Sequence, residues 1–393
     1  MQQAKELVRQ RIDLVSLVGE VVPLKRSGRS FKGLCPFHEE KTPSFHVHPE
    51  SQIFRCYGCG EGGDLFAFVM KREGIGFREA LEELAERAGV DLPRGGGGAR
   101  RGPAKQQYLE VLARAQAFFA ARLRAPEGAE AMRYVEGRGL EAALVPFGLG
   151  HAPGPSEAPG GGRHWPLVAE LGRAGVPLPL AAELGLVGRT ERGQWYDRFR
   201  NRLTFPIHDG QGRIVGFGGR ILPGHEGERE PKYLNSPESP VFNKRSLLFG
   251  LAKARQARAR RLVVMEGYTD VIACHLAGIP EAVATLGTSL TREHAALIRR
   301  YAPDGTVLLF DGDEAGRRAA ERAYAALSAE TLPARICLLE GGKDPADLAR
   351  AEGREGIERV LDGARDALEV WIELLSARHD PSRHEGKVAV AEA

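Results

Sequence analysis

Near its start the chain reads Cys35-Pro-Phe-His38 and then, 17 residues on, Cys56-Tyr-Gly-Cys59. Two donors three positions apart sit on one tight turn, and two such turns can meet at a single ion. Zinc takes four sulfur or imidazole ligands in a tetrahedron, and a site whose four positions are all filled by the chain is structural rather than catalytic. The spacing therefore predicts a small ribbon of short strands clamped by one Zn2+, with Cys35, His38, Cys56 and Cys59 as ligands. Gly58 and Gly60 give the second turn its freedom. His46 and His48 fall outside the paired spacing and are expected at the surface. Strand-like pieces at 21–22, 45–47 and 53–54 fit the ribbon, with helical patterning at 1–19, 64–71 and 77–88 around it.

Phe31, Phe37, Phe45, Phe54 and Tyr57 alternate through this segment with Lys25, Arg26, Arg29, Lys32, Lys41 and Arg55. Rings beside cations can stack bases and hold the phosphates of a single strand. A small domain also needs a core, so two or three of these rings are expected inside and one or two outside. The remaining cysteines, Cys274 and Cys337, lie in apolar runs and read as buried thiols. Five cysteines, three of them clustered, do not make a disulfide framework.

After the ribbon comes RGGGGARRGPAK, residues 94–105, which lacks any large apolar side chain. It reads as a flexible linker with a reach of ~20 Å. With 393 residues, 42% of them hydrophobic, the chain has room for two or three cores. No apolar stretch approaches membrane-spanning length and the charged N-terminus lacks a signal-peptide core, so a cytoplasmic protein without a membrane contact is expected. The net charge of +3 conceals an asymmetry: residues 94–265 carry 27 basic against 15 acidic side chains, and residues 266–393 carry 15 against 23. A basic middle beside an acidic end suits a polyanion held next to a divalent cation.

From residue 262 onward short apolar strands (262–265, 282–284, 307–310, 335–339) alternate with helices (269–277, 291–300, 314–329), the pattern of a parallel α/β sheet. Upstream, 106–125 reads as a helix, 152–166 as a Pro/Gly-rich loop, and 203–207 and 214–217 as strands. Glu266, Asp311 and Asp313 stand at strand ends, where open α/β sheets bind ligands, with Asp270, Asp344 and Asp347 nearby. Clustered carboxylates repel unless cations lie among them, and hard oxygen ligands suit Mg2+ or Mn2+. Such ions, about 3.5–4 Å apart when paired, stabilise both oxygens of a phosphoryl transfer. Asp270 and Glu314 are also placed to cap helices.

These residues resemble one family throughout. FKGLCPFHEEKTPSFHVHPESQIFRCYGCGEGGDLFAFVM is similar to the zinc-binding domain of bacterial replicative primases of the DnaG type. MEGYTDVI, ATLGTSLT, FDGDEAG and KDPADL resemble the Toprim core of that family, in order and spacing. FRNRLTFPIHDGQGRIVGFGGR and PKYLNSPESPVFNKRSLLFG resemble the basic N-terminal part of its polymerase domain. The resemblance implies a multidomain α+β and α/β chain: a zinc ribbon at 1–93, the linker at 94–105, a basic α+β subdomain at 106–258, the Toprim parallel-sheet core at 259–345 and the start of a helical part at 346–393.

It further implies a nucleotidyltransferase that makes short RNA primers on single-stranded DNA from ribonucleoside triphosphates, with the zinc ribbon helping to choose the start. Glu266, Asp311 and Asp313 would be catalytic, binding Mg2+ or Mn2+ together with Asp270, Asp344 and Asp347. Arg138, Arg198, Arg202, Arg220, Lys232, Tyr233, Asn235 and Lys244 would line the groove for template and nucleotide. A monomer at the replication fork is expected. Family members normally add a helical domain that binds the replicative helicase; this chain stops at HDPSRHEGKVAVAEA, so no helicase contact is expected of these residues. The competing readings are another Toprim enzyme, a topoisomerase or nuclease, and a non-catalytic single-strand-binding protein. A topoisomerase needs a tyrosine nucleophile in a large further domain, for which no residues remain.

Overall fold

Period-two alternation at Phe45–His48 sends Phe45 and Val47 fully inward and leaves His46 and His48 half-exposed, which is what a sheet with one covered face requires. In the computed structural model that segment is the centre of a five-stranded antiparallel sheet, ordered β1 (Lys25–Ser27), β2 (Ser30–Gly33), β3 (Phe45–His48), β4 (Ile53–Cys56) and β5 (Gly62–Gly63). The structure describes residues 2–38, 40–73, 76–90, 105–158, 162–227, 230–339, 344–378 and 384. It divides into two units, Met1–Arg101 and Gly102–Ala393. Of the expected linker, 94–104 lie outside the described residues, and Lys105 opens a helix.

In the first unit the expected helix over 1–19 is two helices, Gln2–Arg11 and Leu14–Gly19. The break comes at Asp13, whose carboxylate accepts from the Ser16 N–H at 2.8 Å and caps the second helix. Val21 and Val22 form no strand. Their N–H groups donate to Val18 O at 3.1 and 2.9 Å and close that helix instead. Helix Leu65–Glu73, at whose start Asp64 accepts from the Ala67 N–H at 3.0 Å, packs on the sheet through Phe68, and helix Phe77–Ala88 packs on that helix and on Gln2–Arg11. Between them lies a core of Phe45, Phe54, Phe66 and Phe68 with Leu14, Leu65 and Leu81, each at most 1% exposed. Burial of each such side chain contributes roughly 1.5–3 kcal/mol.

The second unit holds two large sheets that share a core, with two small two-stranded sheets beside them. The first is antiparallel: β6 (Gly150–Ala152), β7 (Arg202–His208), β8 (Ile214–Ile221) and β9 (Tyr233–Asn235), ordered β9-β8-β7-β6. The helix Lys105–Arg124 packs on it through Phe119, edge-on to Phe217 at 5.4 Å. The second sheet contains β10 (Leu262–Met265), β11 (Ala282–Ala284), β12 (Thr306–Asp311) and β13 (Ala334–Leu339), ordered β11-β10-β12-β13, these four parallel to one another. β10 and β11 are buried at every position, as expected for strands with helices on both faces. Phe205 of β7 stacks on Tyr268 at 5.1 Å and 7°, so the sheets share apolar contacts across the boundary expected at residue 258.

Two further segments differ from the sequence reading. The expected loop 152–166 contains a short hairpin, Ser156–Glu157 against Arg163–His164. Beyond residue 345, helix Pro345–Asp362 supplies Ile357 and Leu361 to the shared core, and β14 (Arg365–Asp366) pairs antiparallel with β13. The chain after 345 thus completes the sheet. Cys274 is buried and Cys337 half-buried. Among the described residues no helix is long and apolar enough to cross a membrane.

Candidate metal centres

In the first unit the two predicted turns converge. The ligand atoms of Cys35, His38, Cys56 and Cys59 all lie within 4.8 Å of one another, with Cys35 Sγ to Cys59 Sγ and Cys56 Sγ to His38 Nδ1 both at 3.8 Å. A tetrahedral Zn2+ with bonds of about 2.3 Å to sulfur separates two sulfurs by about 3.8 Å, so the cluster fits that ion. Backbone N–H groups of Phe37 and Gly58 point at Cys35 Sγ (3.4 Å) and Cys56 Sγ (3.3 Å), favouring thiolates. A Cβ at Gly58 would stand 2.7 Å from His38 Nε2, so only glycine lets the second turn approach the first. His46 and His48 are not in the cluster.

Glu40 and Ser44 have roles that the spacing did not reveal. The Glu40 carboxylate accepts from Cys35 N–H at 2.7 Å, from Ser44 N–H at 3.0 Å and from the Ser44 hydroxyl, and lies 3.4 Å from His38 Nε2. It can thereby orient the imidazole with Nδ1 toward the ion, as outer carboxylates of zinc sites do. Burial pushes the Cys35 thiol up to about 12. Burial opposes ionisation of Cys56 as well, but the Ser44 hydroxyl and the N–H groups of Cys59 and Gly58 outweigh it and bring that thiol down to about 7.

Four of the five rings beside the cluster pack inward: Phe45 and Phe54 are buried, and Phe31 and Phe37 lie against the core. Tyr57 is 65% exposed, with the Arg55 guanidinium over its ring at 5.6 Å and His46 edge-on at 5.2 Å. Register across the sheet sets Lys25 opposite Lys32, Lys32 opposite His46, and His46 opposite Arg55. One row of cationic or imidazole side chains therefore crosses the face away from the core.

In the second unit the strand ends carry the acids. Glu266 follows β10, Asp311 ends β12 and Asp313 caps helix Glu314–Ser328 by accepting from Gly316 N–H at 2.7 Å. Asp344 caps the helix from Pro345 by accepting from Asp347 N–H at 2.6 Å, and Asp347 pairs with Arg350. Asp270 lies in the first turn of helix Tyr268–Leu276 but does not cap it. Its carboxylate accepts from Ala346 N–H and folds back so far that a Cβ at Gly267 would stand 2.4 Å from it. Glu314, the other expected cap, pairs with Arg318 instead.

The carboxylates feel one another. Burial, then Asp344 and Asp311, push Asp270 up to about 7. Burial, then Asp311 and Asp313, raise Glu266, and burial, then Asp344, Asp313 and Asp347, raise Asp311. An all-oxygen set that resists ionisation, by burial first and mutual repulsion second, suits a hard divalent cation. Among the described residues only the cysteine–histidine cluster brings three or more ligand atoms within 4.8 Å of one another. The acids are spread more widely than those four ligands, and Glu266 and Asp313 are exposed, an arrangement suited to an ion that keeps several waters. A cleft of about 270 Å3 adjoins Glu266, lined by Thr285, Gly287, Thr288, Ser289 and Arg322. The Thr288 hydroxyl is buried without a partner among the described residues.

The expected groove residues separate into two groups. Arg220 lies over the rings of Tyr134 (5.7 Å) and Tyr233 (5.5 Å), Arg138 lies over Tyr134 (5.6 Å), and Tyr233 bonds to Thr269 beside Asp270. This stack joins the basic sheet to the acidic crevice. Tyr134 was not foreseen, since nothing in the sequence marks it apart from other helical tyrosines. Lys232 is exposed, and Arg198 and Lys244 are half-buried.

Arg202 requires a correction: it is fully buried, bonded to Gly219 O at 3.1 Å and Glu230 at 3.1 Å, so its guanidinium braces the sheet and does not line a groove. Asn235 is likewise occupied. Its Oδ1 accepts from the Tyr268 hydroxyl at 2.5 Å and its Nδ2 donates to Leu286 O at 2.8 Å, tying β9 to the loop beside Glu266.

Family models match along the chain: CHC2 zinc finger over residues 1–98, DNA primase catalytic core, N-terminal domain over 118–255, and Toprim-like over 263–349. A DNA primase of Pseudomonas aeruginosa is 41% identical over 401 aligned positions, covering 97% of this chain and 57% of that protein. The chain thus spans a little over half the length of that relative. The crystal structure of the zinc-binding and RNA polymerase domains of the Aquifex aeolicus primase is 33% identical with a TM-score of 0.60, over 94% of this chain and 87% of that one. A DnaG primase catalytic domain bound to ssDNA is 34% identical with a TM-score of 0.61, over 73% and 91%.

Proposed function

The chain belongs to the DnaG-type DNA primase family, and on that premise we propose that it is a DNA-directed RNA polymerase that starts short RNA chains on a single-stranded template. The observation that carries the reading is the set of carboxylates at adjacent strand ends, Glu266, Asp311 and Asp313, where burial and then Asp311 and Asp313 raise Glu266, and burial and then Asp344, Asp313 and Asp347 raise Asp311. Together with Asp270, Asp344 and Asp347 they would hold Mg2+ or Mn2+. When bound, such ions neutralise charge that develops on the phosphoryl oxygens.

The reaction forms a bond between a 3′-hydroxyl oxygen and the α-phosphorus of a nucleoside triphosphate, breaks the bond to the β-phosphate and releases pyrophosphate, with the hydroxyl proton passing to a base. Glu266, open to the crevice and with its proton affinity raised, is suited to receive that proton. Arg138, Arg198, Lys232, Tyr233 and Lys244 would orient template and triphosphate by charge and by stacking, with the buried Arg220, which donates to Ile221 O, holding the Tyr134 and Tyr233 rings. Arg202 and Asn235 would act on them from behind, by holding β7, β8, β9 and the loop after β11. In the first unit the row Lys25, Lys32, His46 and Arg55, with Tyr57, would hold single-stranded DNA while Zn2+ on Cys35, His38, Cys56 and Cys59 keeps the sheet folded.

The test is to supply single-stranded DNA, labelled ribonucleotides and Mg2+ or Mn2+, and in parallel a supercoiled plasmid. Short RNA that depends on template is the expected product. Relaxed or cleaved plasmid without RNA would instead mean another Toprim activity, and binding without any product a non-catalytic single-strand-binding protein.

A further inference from the structure

The turn that carries Lys244 and Arg245 is a single 3-10 turn, Lys244–Ser246, too short to hold its own shape. Its carbonyls are gripped from outside. The His294 ring, completely buried, faces Lys244 O with Nε2 at 2.8 Å and Leu247 O at 3.0 Å. Two carbonyls at Nε2 require the proton there. Nδ1 is then bare, and it accepts from Thr291 N–H at 3.2 Å. The Thr291 hydroxyl donates to Arg245 O at 3.1 Å and accepts from His294 N–H at 3.3 Å. Thr291 and His294 thus close a reciprocal cap on helix Arg292–Tyr301 and use their remaining valences on the turn. Glu293 adds an ion pair to Arg245 at 3.4 Å.

The cap stands at the end of the segment Thr285–Leu290 that lines the cleft beside Glu266. A cation useful to a polyphosphate must be held at a fixed distance from the acids that bind the metal, and a mobile turn cannot do that. We infer that His294 is a positioning residue, which fixes the Lys244 turn to the wall of the cleft beside Glu266 so that Lys244 meets the phosphates of a nucleoside triphosphate. The inference rests on the polymerase reading for its ligand and adds to it a residue that touches neither substrate nor metal. An imidazole is suited to the task because it donates at one end and accepts at the other within a single rigid ring.

The test is a double-mutant cycle of His294→Ala and Lys244→Ala on the full chain, read by calorimetric titration with ATP and Mn2+ and by nucleotide KM and kcat in primer synthesis. Loss of the buried bonds predicts that His294→Ala weakens nucleotide binding about tenfold and raises KM far more than it lowers kcat. In the Lys244→Ala background the same change should have little further effect, because the cation it positions is gone. His294→Gln, which keeps a donor near the Nε2 position, should recover part of the affinity, and it carries the cycle if the alanine variant melts early. Independent, multiplying effects of the two substitutions, or no weakening by His294→Ala, would overturn the inference. Because the titration needs no polymerisation, a chain that binds nucleotide with coupling but makes no RNA would sink the polymerase reading alone. A parent that binds no nucleotide would sink both.

Discussion

Asp270 shows at the level of one side chain what the crevice requires. Its carboxyl is pushed up to about 7, by burial first and then by Asp344 and Asp311, so on the proposed reading a proton and a divalent cation would compete for it near neutrality. Raised carboxyls lose protons as pH rises, so the Mn2+ concentration for half-saturation should fall as pH increases through about 7. A titration of Asp270→Asn should be flatter; an equal slope in that variant would remove Asp270 from the metal set. Arg202 makes the opposite point. The family resemblance implies a groove residue there, yet it is buried against Glu230 and two backbone carbonyls, Gly219 O and Lys232 O. Arg202→Met should cost about 1–3 kcal/mol of stability by leaving acceptors unpaired, with DNA affinity per folded molecule little changed. Melting curves beside binding isotherms separate the two roles.

Among the elements, the ribbon is the one whose fold depends most on its ion. Helices and sheet share one small aromatic core, but both turns end on ligands, so chelation of Zn2+ should unfold the sheet of residues 25–63 while the parallel sheet persists, as far- and near-ultraviolet dichroism of metal-stripped protein can report. Tyr57→Ala should leave the zinc content intact and weaken single-strand binding by about 1–3 kcal/mol, the usual worth of one stacked base. Unchanged binding would remove the exposed ring from the interface. Much of this was legible in the sequence, because ligand spacing and strand-end acids are local patterns. Strands β10 and β11 fall where apolar runs marked them. The parts that were not legible depend on pairing across the chain: Glu40 reaching back to Cys35 N–H, Asn235 using both ends of its amide, and Arg365–Asp366 adding an edge to a sheet that closed on paper at residue 345. Val21 and Val22 misled because β-branched residues also finish a helix when a carbonyl such as Val18 O is free to receive them.

At the scale of the whole molecule, charge is divided by task. Residues 94–265 are strongly basic and residues 266–393 acidic, so binding to a polyanion should rest on counterion release. Affinity for single-stranded DNA should therefore fall with added salt by roughly 0.7 log units per log salt for each phosphate neutralised, and a flat response would contradict a basic groove. The central claim is that the strand-end acids hold the cation on which nucleotidyl transfer depends. The measurement that tests it most directly is incorporation of labelled ribonucleotides on single-stranded DNA across a titration of Mg2+ or Mn2+, for the parent chain and for Asp311→Asn. Saturating, metal-dependent RNA synthesis by the parent and its loss in a folded, DNA-binding Asp311→Asn protein is the predicted result. RNA synthesis that is indifferent to metal, or that survives the substitution undiminished, would contradict the account.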